Sequence, residues 1–114
     1  NMAKHILRFR QVDRDIFKDI RSGKKRVETR AATVKFRNIK SGDVVVFVCG
    51  GDKFERKVKS TQIFKDIKIL LKSYKIRDIA PRLSSEKDLI KMYHSFPGYE
   101  EKIAKFGLIA LRFE

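Results

Sequence analysis

Apolar residues along this chain recur with two different periods, and the switches between them mark its elements. His5 to Arg10 sets Ile6 and Phe9 among basic side chains in an imperfect alternation that predicts a first strand. Asp13 then stands where a helix N-cap belongs, and Val12, Ile16, Phe17 and Ile20 follow at near-helical spacing. Gly23 comes where a left-handed residue would close that helix. From Lys25 to Arg30 the period falls to two, with Val27 and Thr29 on one face and Arg26, Glu28 and Arg30 on the other. Ala31 to Ile39 has no clear period and is expected to be a loop carrying Lys35 and Arg37.

Ser41-Gly42-Asp43 signals a turn, and Val44 to Val48 is an unbroken β-branched and aromatic run expected of a strand buried on both faces. Gly50-Gly51-Asp52 has the glycines of a tight hairpin, which predicts an antiparallel partner from Lys53 to Phe64 with Phe54, Val58 and Phe64 in register. Lys57 and Lys59 share the opposite face of that strand, toward solvent or a phosphate chain. Ile67, Leu70, Leu71 and Tyr74 predict a helix over Asp66 to Tyr74. Ser85 with Asp88 forms a capping-box pattern ahead of Leu89, Ile90, Tyr93 and Phe96, and Pro97-Gly98 ends that second helix. Tyr99 to Lys105 has room for one more helical turn, and Phe106 to Phe113 closes the chain as a strand with Ile109, Leu111 and Phe113 on one side. This order is neither alternating βαβ nor all-β. It predicts an α+β fold, residues 1–114 forming one domain in which a small mixed sheet curls into a barrel flanked by helices.

Charge changes the picture more than composition does. Twenty-eight Lys and Arg against fourteen Asp and Glu leave a net charge of +14, a surface that attracts polyanions. Nucleic acid is the expected partner, since neutralising phosphates releases condensed counterions; a basic surface serving solubility alone is the plainer alternative. Neither a basic amphipathic terminal helix nor an apolar run of about 18 residues is present, so membrane is not an expected partner. Cys49 is the single cysteine, which excludes an intrachain disulfide and a multi-cysteine zinc site and fits a reducing compartment. With no leader pattern, and with Asn1 ahead of Met2 reading as an added residue, a cytoplasmic location is expected. No metal or cofactor is expected, and oligomeric state is not legible.

One segment carries a specific pattern. Gly23-Lys24-Lys25-Arg26-Val27-Glu28-Thr29-Arg30 has the spacing Gly-x-Lys-x-x-Glu-x-Arg between a predicted helix and a strand. With Ser41-Gly42-Asp43 before an apolar strand, and Phe96-Pro97-Gly98-Tyr99 followed by Phe106-Gly107, it resembles the ASCH family over nearly the whole chain. The resemblance implies a PUA-like β-barrel and functions in RNA binding, RNA processing or transcriptional coactivation. It implies a positively charged cleft lined by Lys25, Glu28 and Arg30, with Gly23 letting backbone approach the ligand and offering an amide to phosphate. Strand geometry agrees for Glu28 and Arg30, which project to one face where a carboxylate and a guanidinium can read base edges. Lys25 has the wrong parity and must enter from the preceding loop or a bulge. Without the resemblance, Glu28 and Arg30 read as a local ion pair on a solvated strand, worth at most about 1 kcal/mol.

An enzyme is the alternative. Some proteins of the family are amidohydrolases acting on N4-acetylcytidine, in which a motif Lys activates a Thr hydroxyl, and others act as ribonucleases. Lys25 matches that Lys, whereas the Thr position holds Glu28, a poorer acyl-forming group. Thr29 is adjacent but expected to face away; Lys25 and Glu28 could instead act as acid and base around a water. His5, His94, Lys25 and Tyr93 have the chemistry a ribonuclease needs, although none is placed by sequence and both histidines fit solvated or core-edge positions. Among aromatics, Tyr74, Tyr99 and Phe36 are candidate platforms for base stacking, each also fitting an apolar stripe. Lys35, Arg37, Lys57 and Lys59 are candidate phosphate contacts. RNA is the expected partner and single-stranded DNA a possible one.

Overall fold

The computed structural model describes residues 2–114, so Asn1 and its reading as an added residue lie outside it. Five strands form where β-branched and aromatic residues cluster: β1 (Lys4–Phe9), β2 (Val27–Ala31), β3 (Val44–Cys49), β4 (Asp52–Phe64) and β5 (Leu108–Phe113). They make one sheet in the order β1-β3-β4-β5-β2. β1 runs parallel to β3 and the other three pairings are antiparallel, including the expected β3–β4 hairpin. Its Gly50 takes φ 58°, as a two-residue turn requires.

The helices are α1 (Arg14–Ser22, preceded by a 3-10 turn at Gln11–Asp13), α2 (Val34–Arg37), α3 (Ile67–Ser73), α4 (Ile76–Ile79), α5 (Glu86–Ser95) and α6 (Tyr99–Phe106). Local chemistry sets their ends. The Asp66 carboxylate accepts from the Ile69 amide at 2.9 Å, and Ser85 Oγ accepts from the Asp88 amide at 3.1 Å. Asp13 precedes α1 as expected, but its carboxylate accepts from Arg10 Nε at 2.8 Å and does not cap the helix.

The α+β class stands, and the barrel does not. Among the described residues β1 and β2 remain the two unpaired edges of an open sheet. Side chains fill the gap: Arg30 on β2 donates from Nη2 to the Arg8 carbonyl on β1 at 3.2 Å, and its guanidinium lies 4.7 Å from the Phe9 ring centre. The segment expected to be a loop contains α2, too short to show a period. α4 was likewise not legible, and α6 runs two turns where one was expected.

Two apolar cores lie on opposite faces of the sheet. The first packs Leu7, Val45, Phe47, Ile109 and Leu111 beneath Phe17 and Ile20 of α1. The second packs Val27, Phe64, Leu108 and Ala110 against Leu70, Leu89, Tyr93 and Ile103 of the later helices. β5 serves both cores, so Leu108 to Leu111 is buried on both faces, which the alternation expected of that strand did not capture. β3 departs the other way. Val45, Phe47 and Cys49 are buried while Val44, Val46 and Val48 are half-buried, because the second core covers only the β4–β5–β2 side of the sheet. On β1 the core residue is Leu7, whereas Ile6 faces outward at 43% exposure.

Candidate functional site

A cleft of about 640 Å³ opens between the end of β1, the 3-10 turn with α1, strand β2, the Ile79–Leu83 segment and α5 with the start of α6. Three of the four motif residues converge near it. Gly23 does not line it: at φ 85° it closes α1, and its amide donates to the Ile20 carbonyl at 3.1 Å, which removes the expected amide for phosphate. The glycine turns the chain so that the Lys25 amide returns to the Asp19 carbonyl at 2.9 Å and the side chain of Lys25 enters the cleft from the loop, as its parity demanded.

Glu28 is the hinge of the arrangement. Its Oε1 lies 3.3 Å from Lys25 Nζ and accepts from the Thr29 amide at 3.1 Å, while Oε2 accepts from Arg30 Nε at 3.1 Å. Lys25 Nζ also donates to the Ile79 carbonyl at the end of α4. Lys25 and Glu28 are both buried, so this is an ion group held in low dielectric and not the solvated pair a strand alternation alone suggests. Burial pushes the Lys25 ammonium below the usual lysine range, and the Glu28 charge works against that shift. Glu28 is committed to two cations and an amide, so the groups left to meet a ligand are the remaining N–H donors of Lys25 and Arg30.

Aromatic rings line the same cleft. Phe9, Tyr93, Phe96 and Tyr99 all line it, with Phe96 edge-on to Tyr99 at 5.3 Å between ring centres and to Tyr93 at 6.3 Å. Tyr93 OH shares a hydrogen bond with Thr29 Oγ1, and burial raises the phenol of Tyr93 and that of Tyr99, keeping both protonated at neutral pH. Thr29, expected to face away, also lines the cleft, where its hydroxyl is engaged by that bond. Of the proposed stacking platforms, Tyr99 lines the cleft. Phe36 sits 5.6 Å from the Arg30 guanidinium, and Tyr74 packs edge-on to Phe64 in the second core.

The lining is charge-balanced, which corrects the expected positive cleft. Arg10, Lys25, Arg30, Arg82 and Lys91 meet Asp13, Asp15, Asp19, Glu28 and Asp88 there. Most are paired: Arg82 holds the buried Asp19 through two bonds of 2.8 and 3.0 Å, pinning the segment after α4 to α1. The entire excess of +14 therefore resides on the rest of the surface. Lys57 and Lys59 are exposed on the outer side of β4, away from the lining. Lys35 is exposed on α2 beside Phe36, and Arg37 donates to the Ala32 carbonyl at 2.9 Å. His5 lies 2.8 Å from Asp43 Oδ2, and His94 is exposed on α5; neither lines the cleft. Among the described residues no group of three metal-ligating side chains occurs, and no helix is long and apolar enough to cross a membrane.

Sequence reasoning missed Phe9, Phe96, Asp19 and Arg82 as cleft residues. Asp19 and Arg82 are 63 positions apart and carry no spacing signal, whereas the spacing of Phe96 from Leu89 and Tyr93 is that of a core stripe.

No curated protein matches the chain. Solved structures do. One is the crystal structure of hypothetical protein PH0355, at 30% identity and a TM-score of 0.83, covering 97% of each chain. Another is the solution structure of protein PF0455 from Pyrococcus furiosus, at 27% identity and a TM-score of 0.75, covering 97% of this chain and 96% of that one. The family model for the ASCH domain matches residues 11–114, and the chain belongs to that family.

Proposed function

We propose that this protein binds RNA and that its cleft receives one unpaired base while the phosphates contact basic side chains outside it. The observation that carries the reading is the pairing of a charge-balanced, aromatic-walled cleft with a surface holding the whole positive excess. A volume near 640 Å³ suits a small planar ligand. Phe9, Phe96 and Tyr99 offer faces or edges for an unstacked base, and the free donors of Lys25 and Arg30 suit its carbonyl oxygens. Lys35, beside Phe36 near the Arg30 guanidinium, is well placed to meet a neighbouring phosphate. Membership of the ASCH family supports RNA as the polymer.

The test is fluorescence anisotropy of a labelled single-stranded RNA, the matching single-stranded DNA and a duplex DNA, with wild type and with Lys25→Met. Tighter binding of the single-stranded RNA, lost at least tenfold in the variant, supports the reading. Equal affinity for all three ligands, unchanged by the substitution, contradicts it.

The buried Lys25 beside Glu28 supports a second reading, a hydrolase acting on a modified nucleoside. There Lys25, its basicity lowered by burial, would take a proton from a water that attacks an N-acyl carbonyl, and that proton would pass to the leaving amine as the carbon–nitrogen bond breaks. Incubation with N4-acetylcytidine, followed for release of acetate and cytidine, decides it.

A further inference from the structure

The outer face of the β1–β3–β4 half of the sheet is a surface the cleft does not use. Its register is fixed by direct pairing: Lys4 and Lys57 flank Val44, Ile6 and Glu55 flank Val46, and Arg8 and Lys53 flank Val48. Directly paired residues point to the same side of a sheet, so these nine positions form three rows on one face. The central column is all valine and half-buried, and every flanking residue is exposed. Ile6, at 43% exposure, widens the apolar strip by one position. Four cations border it, and the one acid, Glu55, lies 3.5 Å from Lys4. Strand spacing of about 4.8 Å puts the two basic columns roughly 10 Å apart with the apolar strip between them.

We infer that this face docks a second protein whose contact surface is an apolar strip bordered by acidic side chains. Charge chooses the occupant. A second copy of this chain would set the same four cations against their equals, which long-range repulsion opposes. RNA could place phosphates on the two basic columns, but valine and isoleucine offer no aromatic face for a base, and a sugar pressed on them loses hydrogen bonds to water. An acidic-bordered apolar strip satisfies the centre and both edges together. Such a partner would account for the half-buried valines of β3 at positions that the second core does not cover.

The probe is a labelled amphipathic peptide with leucines at helical spacing and glutamates on both borders. One control keeps the charge but replaces leucine by glutamine, and a single-stranded RNA serves as competitor. Titrations use wild type, Val46→Asp and the Lys53→Glu, Lys57→Glu double variant, each checked for a native thermal transition. The inference predicts that the leucine peptide binds at least tenfold more tightly than its glutamine control and that both variants lose that preference. It also predicts that hydrogen-exchange protection appears on β1, β3 and β4 and that Lys25→Met binds the peptide like wild type. Equal binding of both peptides means the face acts by charge alone and overturns it. So does displacement of the peptide by RNA with both variants losing RNA affinity, which makes the face a nucleic-acid surface. Because Lys25 lies in the cleft, failure here leaves the proposed base-binding role to stand or fall on its own measurement.

Discussion

The two halves of one sheet solve opposite problems. Where β2, β5 and the far part of β4 lie, both faces are covered, and a cleft at the edge holds Asp19, Lys25 and Glu28 out of water, each against a charged partner. Where β1, β3 and the near part of β4 lie, one face is covered and the other carries an excess of lysine and arginine in water. The difference teaches that net charge does not locate a ligand pocket. A buried site tolerates charge only when it is paired, so a strongly basic protein keeps its excess on the bare surface and its cleft close to neutral.

Each half also depends on one acid that gathers its neighbours. Glu28 does this in the cleft, holding Lys25, Arg30 and the Thr29 amide. Asp43 does it at the start of β3, accepting from the Lys40 amide at 3.0 Å and the Ala3 amide at 3.2 Å, with His5 Nε2 at 2.8 Å. Removing Glu28 is expected to be the more damaging. Glu28→Ala leaves two cations uncompensated and should cost about 3–5 kcal/mol in urea unfolding. A cost below about 1 kcal/mol would mean the cleft is wet and the comparison fails.

Asp43 gives a pH signature. Its bonds with His5 and the two amides lower the carboxyl from 3.8 to about 2. A lowered acid contributes stability that is complete above its ordinary value and lost as pH falls through the folded one. Thermal melting of wild type should therefore weaken between pH 4 and pH 2 by more than that of Asp43→Asn, which lacks the titration. Parallel pH profiles would remove Asp43 from the account.

Lys25 gives the same sign in an alkaline window, although here burial penalises the charged form where at Asp43 hydrogen bonds favour it. Burial lowers its folded pKa below the ordinary 10.5, so the charged form is penalised on folding and the unfolded chain binds the extra proton. Stability should then gain from this group as pH rises from the folded value toward 10.5, and the gain should be missing from Lys25→Met. On the bare face Lys57→Met should change stability by less than about 0.5 kcal/mol, since an exposed side chain loses little there. A large effect at Lys57 would erase the contrast between the halves.

Much of the fold was legible because its signals are local. The valine run of β3, the glycine hairpin, the caps at Asp66 and Ser85 and the left-handed Gly23 each depend on residues within a few positions. What was not legible depends on distance along the chain. α4 is four residues long and shows no period, yet its last carbonyl receives Lys25. Whether the sheet closes depended on β1 and β2, whose gap a single side chain, Arg30, spans. In the site, the motif located Lys25, Glu28 and Arg30, but it could not show that Glu28 is consumed by its neighbours or that aspartates would neutralise the lining.

The salt dependence of RNA binding tests that division of labour most directly. The slope of log affinity against log salt counts phosphate contacts, and its intercept carries the rest. If Lys25 meets a base inside a balanced cleft, as proposed, single-stranded RNA should bind Lys25→Met at least tenfold more weakly than wild type with the same slope. A slope smaller in magnitude by about 1, with affinity lost only at low salt, would make Lys25 a phosphate contact and contradict the account.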